Sequence, residues 1–126
     1  MPTVLCLDDS TCGLAEAAQV LRESGYRVLT TDDNATSLNL ALETPLDAVL
    51  LNCRRDRDNA GLVTALRILQ PHVAVIMFSG YCGVPCDQFH LADACFQKDG
   101  KRSALLPLLR AVLCQSRYGM CRSVST

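Results

Sequence analysis

Alternation of two kinds of segment limits this chain more than any other feature. Five short aliphatic or β-branched runs, Thr3 to Leu7, Arg27 to Thr31, Ala48 to Leu51, Ala74 to Phe78 and Ala94 to Gln97, are separated by longer stretches with helical spacing of apolar residues. This order is the signature of a parallel sheet covered by helices on both faces. Ala48-Val49-Leu50-Leu51 is apolar at successive positions without alternation, as an interior strand buried on both faces requires.

The intervening stretches read as helices with recognisable ends. Leu14, Ala17, Ala18 and Leu21 recur at spacings of three and four, and Gly25 supplies a C-terminal stop. Asp33 stands where an N-cap is needed before Asn34 to Leu42, in which Leu38, Ala41 and Leu42 are expected to line one face. A third helix spans about Ala60 to Leu69 and ends at Gln70-Pro71, because the residue before proline avoids the helical region. After Ser79, Gly80, Gly83 and Pro85 leave room only for a short, irregular helix. The last helix runs from about Ser103 to Ser116, with Pro107 tolerable in its first turn, and residues 117–126 read as a polar, flexible tail. Right-handed crossovers in this order predict a flavodoxin-like, doubly wound five-stranded parallel α/β sheet of order 2-1-3-4-5, with helices on both faces.

The 126 residues suit one domain, and the formal charge of −1 offers no positive field for a phosphate backbone. Nucleic acid is therefore not expected as a direct partner. No run approaches a spanning apolar length and Met1 to Leu7 does not read as a secretory signal, so no membrane partner is expected and a cytoplasmic location is. Eight cysteines are many for this length. Those inside apolar runs, such as Cys6 and Cys95, read as small buried hydrophobes; Cys82 and Cys86 form the one pair with local spacing for a metal or redox switch.

Ligands of such sheets bind at the carboxyl ends of the strands. There the sequence carries Asp8-Asp9, Asn52, Ser79-Gly80 and Lys98. Two adjacent carboxylates make a hard oxygen site suited to magnesium, and a lysine and a serine hydroxyl can hold phosphoryl oxygens. No glycine-rich phosphate loop follows the first run, which disfavours a flavin-binding protein.

Four segments, Leu5-Cys6-Leu7-Asp8-Asp9, Asp47-Ala48-Val49-Leu50-Leu51-Asn52, Val75-Ile76-Met77-Phe78-Ser79-Gly80 and Ala92-Asp93-Ala94-Cys95-Phe96-Gln97-Lys98, resemble the receiver domains of two-component response regulators. The resemblance covers about residues 3–116. It implies that Asp8 and Asp9 match the magnesium-binding pair, Ser79 and Lys98 the phosphoryl-contact positions, and Asn52 the phospho-accepting aspartate. Asn52 breaks the pattern, because a neutral carboxamide cannot form an acyl phosphate and weakens any magnesium site by one charge. Cys95 stands at the family's switch aromatic. The loop Cys53-Arg54-Arg55-Asp56-Arg57-Asp58-Asn59-Ala60-Gly61 lacks the usual Met-Pro pair.

The resulting expectation is a stand-alone, degenerate receiver in a phosphorelay, not an enzyme, with a sensor kinase or other signalling protein as partner. The alternative is a working acceptor on another carboxylate, Asp56 being the nearest in sequence.

Overall fold

A computed structural model of the chain describes residues 2–7, 14–53, 59–79, 92–97 and 105–117. In order they form β1 (Thr3–Leu7), α1 (Leu14–Glu23), β2 (Arg27–Thr31), α2 (Asn34–Glu43), β3 (Ala48–Cys53), α3 (Asn59–Leu69), β4 (Ala74–Ser79), β5 (Ala94–Gln97) and α4 (Leu105–Arg117). The strands make one parallel sheet in the order β2-β1-β3-β4-β5. The short helix expected after Ser79, Cys82 and Cys86, and residues 118–126 of the tail lie outside the described residues. No described helix is long and apolar enough to cross a membrane.

Successive strand residues feed opposite faces, and each face has its own core. Val4, Cys6, Ala48, Leu50, Ala74 and Ile76 pack under α1 and α4, against Ala18, Leu21, Leu105 and Leu109. Leu5, Leu7, Val49, Leu51, Val75 and Met77 pack under α2 and α3, against Ala41, Leu62, Val63 and Leu66. This double burial is the physical reason for the unbroken apolar runs. Cys6, at 2% exposure, behaves as a buried hydrophobe, whereas Cys114 on α4 is exposed.

The helix ends follow their local chemistry. At the end of α1, Gly25 N–H donates to the Arg22 carbonyl at 3.1 Å and Tyr26 N–H to the Leu21 carbonyl at 3.0 Å. This is the Schellman arrangement, and Gly25 adopts the φ of +95° that it needs. Tyr26 then packs on the same core as Leu21. At α2, Asp33 is the N-cap. Pro107 is the third residue of α4, within the first turn, where its missing N–H has no intrahelical partner to lose.

Three expectations need correction. Leu42 is not on the buried face of α2: it is 66% exposed, because Ser37 and Ala41 face the sheet and Leu42 lies about 100° round the helix from Ala41. The strands expected to end at Leu51 and Phe78 continue to Cys53 and Ser79, since the backbone ladder between β3 and β4 persists through Asn52 opposite Phe78 and Cys53 opposite Ser79. Pairing of main chains does not require apolar side chains.

Polar fasteners at the amino edge of the sheet set the register that aligns its other edge. The Asp47 carboxylate accepts from Thr3 N–H at 2.7 Å, Asp47 N–H donates to the Thr3 carbonyl at 2.8 Å, and Ala74 N–H donates to the Asp47 carbonyl at 3.1 Å. One residue thus joins the starts of β1, β3 and β4. Asp93 does the same beside β5: its carboxylate accepts from Val75 N–H at 2.8 Å and from Arg67 Nη2 at 3.1 Å, and its own N–H donates to the Val75 carbonyl at 2.8 Å.

Candidate site at the carboxyl edge of the sheet

The register locates the candidate positions by backbone. Leu7, the last residue of β1, is paired with Thr31 on β2 and with Leu51 on β3. Asn52 is one step beyond Leu51, at the same level as Phe78 on β4. Ser79 is one step beyond that, level with Cys53 on one side and Gln97 on the other. Standard strand spacing and rise put the Cα atoms of Asn52 and Ser79 about 6 Å apart on adjacent strands. Cys95 is level with Met77, two residues back from the Ser79 level, which places its Cα about 8 Å from that of Ser79 by the same spacing.

The sequence therefore brings Asn52 and Ser79 together at the centre of the carboxyl edge, with Cys95 on the next strand. Asp8 and Asp9, which follow Leu7 in the chain, and Lys98, which follows Gln97, lie outside the described residues, as does Asp56. Among the described residues no group of three or more His, Cys, Asp and Glu side chains is arranged to hold a metal.

One acidic residue at this edge is committed elsewhere. One Asp33 carboxylate oxygen accepts from Thr36 N–H at 2.6 Å and the other from the Thr36 hydroxyl at 2.9 Å. The Thr36 backbone bond is the main cause that holds the Asp33 carboxyl below its ordinary pKa of 3.8, helped by the Thr36 hydroxyl and a weaker bond with Asp32 and opposed slightly by desolvation. Its role is the cap.

No protein-family model matches the chain. The transcriptional regulatory protein PrrA of Mycobacterium leprae is 38% identical over 84 residues, which are 66% of this chain and 36% of PrrA. A CheY-like response regulator receiver domain protein from Methanospirillum hungatei superposes with a TM-score of 0.80, covering 93% of this chain and 97% of that one at 22% identity. The response regulator protein TrrA from Thermotoga maritima, solved in complex with Mg2+-BeF, gives a TM-score of 0.76 over 89% of this chain and 99% of that one, at 18% identity. The chain has the fold of CheY-like response-regulator receiver domains.

The matched segment spans only 36% of the length of that curated relative. Sequence reasoning placed Asn52 and Ser79 at strand ends, as the register does, but assigned no role to Asp47 or Asp93, which bridge the strand starts. The available signal was position: each is a polar residue immediately before, or one residue from, the start of an apolar run, where strand ends leave backbone N–H groups to be satisfied.

Proposed function

We propose that the chain is a receiver domain of a phosphorelay signal transduction system and acts through protein contacts, without forming an aspartyl phosphate at position 52. The observation that carries this reading is the place of Asn52 on β3, one step past the Leu7–Leu51 pair and next to the strand that bears Ser79. A phosphoacceptor there attacks phosphorus with an ionised carboxylate oxygen. The carboxamide of asparagine has no such charge, and its carbonyl oxygen serves only as a neutral ligand or hydrogen-bond acceptor.

The donor chemistry fits magnesium, held more weakly than by three carboxylates. Asp8, Asp9 and the Asn52 carbonyl would hold it, and magnesium, when bound, would supply positive charge to oxygens of a ligand at this edge. TrrA, of the same fold, was solved in complex with Mg2+-BeF. Ser79 and Lys98 would contact those oxygens, and Cys95 occupies the switch position without an aromatic ring. Signalling output then passes to another protein, a sensor kinase or a further signalling protein, in the cytoplasm. No turnover is assigned to the domain.

Incubation with magnesium and acetyl phosphate, read by intact mass, tests the proposal beside Asn52→Asp. Wild type is expected to stay unmodified while the variant gains one phosphoryl group. A phosphoryl group on wild type overturns the reading, and mapping the modified residue would then identify the acceptor.

A further inference from the structure

The outward faces of α2 and α3 carry almost no charge. Glu43 is the one charged residue of Asn34–Glu43, and Arg67 the one charged residue of Asn59–Leu69. These helices also bear the exposed large apolar side chains found among the described residues: Leu42 at 66%, Ile68 at 74% and Leu69 at 37%. The two ends adjoin. Gln70 Nε2 donates to the carbonyls of Ala41 and Thr44, each at 2.7 Å, so the last turn of α2 abuts the end of α3.

We propose that this face is the contact between two copies of the chain, related by a two-fold axis running along the helices. The pattern is complementary to itself. On α2 an exposed leucine stands beside an acid, Leu42-Glu43; on α3 an exposed isoleucine stands beside a base, Arg67-Ile68. Both helices return against a wholly parallel sheet, so they point the same way. An axis parallel to them keeps that direction and lays α2 of one copy over α3 of the other with their C-terminal ends level. Leu42 then meets Ile68 of the second copy and Glu43 meets Arg67, and each pairing occurs twice, as an isologous interface requires. Arg67 binds Asp93 through Nη2, and Glu43 of the second copy would approach the same guanidinium as a further carboxylate. A partner with a strongly charged docking face would find a single acid and a single base to match its charges. A second copy brings one of each, in the matching places.

Sedimentation equilibrium from micromolar to millimolar protein tests the proposal on wild type, Leu42→Glu, Ile68→Lys and the double variant. Wild type is expected to dimerise, and each single variant to raise the dissociation constant about a hundredfold or more, because the symmetric interface loses two aliphatic side chains worth about tenfold each. The double variant is expected to recover part of the loss, because Glu at 42 then faces Lys at 68 of the other copy. Both positions are exposed, so thermal melts of dilute protein are expected to stay close to wild type. A wild type that remains monomeric throughout, or a dimer indifferent to both single changes, overturns the proposal. Neither outcome depends on whether the site at Asn52 is modified.

Discussion

Asp33 shows how a single side chain at the carboxyl edge can be assigned by counting its bonds. A carboxylate just past the end of β2 lies at the same edge of the sheet as the candidate site, yet both its oxygens are engaged by Thr36, and the buried Ser37 hydroxyl donates to its backbone carbonyl oxygen at 3.0 Å. The depressed pKa of Asp33 means that its capping contribution is fully present above the ordinary value of 3.8 and is lost as pH falls through the lower folded-state value. Asp33→Ala is therefore expected to lower stability at neutral pH, with the gap to wild type closing as pH drops below 3.8. Asp33→Asn, an equally good cap without an ionisable group, should keep most of the stability and lose that pH dependence. Urea titrations at neutral and at strongly acidic pH check this; a gap that stays constant across them would show that the carboxylate charge is not what caps the helix.

At the scale of elements, the strands were legible because burial on two faces leaves a simple trace, a run of apolar residues without alternation. Thr3–Leu7, Arg27–Thr31 and Ala94–Gln97 have the ends that their composition suggests. Beyond Leu51 the trace fails, because the main-chain ladder continues through Asn52 and Cys53. Helix α2 was legible at its cap and not in its facing: its small buried residues, Ser37 and Ala41, give a weaker signal than the exposed Leu42. Beside its core packing, the end of α2 is tied by Gln70, whose Oε1 accepts from Leu46 N–H at 2.6 Å while Nε2 bridges the Ala41 and Thr44 carbonyls. No periodicity reveals such a residue, since its partners are backbone groups more than twenty positions away. Gln70→Ala strands three part-buried polar groups and is expected to cost about 1–3 kcal/mol by chemical denaturation. Gln70→Glu should do no better at neutral pH, since a carboxylate keeps the acceptor and confronts two carbonyl oxygens. A cost for Gln70→Ala below about 0.5 kcal/mol, the ordinary surface value, would mean that water replaces the bridge.

For the whole molecule, two cores share one sheet, and the amino edge is fastened by Asp47 and Asp93 while the carboxyl edge gathers the candidate site. Asn52 and Ser79 were legible as strand-end residues because a parallel sheet sends every carboxyl end to one edge; what the sequence alone left open is register, which depends on bonds such as that from Thr3 to Asp47. That arrangement makes the charge at position 52 a property of global stability. Leu7 is paired with Leu51, so a carboxylate at position 52 would lie one step beyond the end of β1, after which the sequence carries Asp8 and Asp9. At an effective dielectric near 20 and about 6 Å, each like-charge pair costs about 3 kcal/mol before solvent and salt reduce it. Asn52→Asp is thus expected to be less stable than wild type in EDTA. Magnesium, on the proposed reading that it binds the folded edge and not the unfolded chain, should restore it, with the gain growing with the logarithm of metal concentration above its dissociation constant. Wild type, with less repulsion to relieve and one fewer anionic ligand, should gain less over the same titration. Melting both proteins across a magnesium series decides the matter: a larger magnesium response in wild type than in Asn52→Asp would mean that position 52 does not share an electrostatic site with the acidic pair. Equal melting temperatures in EDTA would show the charge to be screened there, and a magnesium response confined to the variant would trace the weakened metal site to a single neutral side chain.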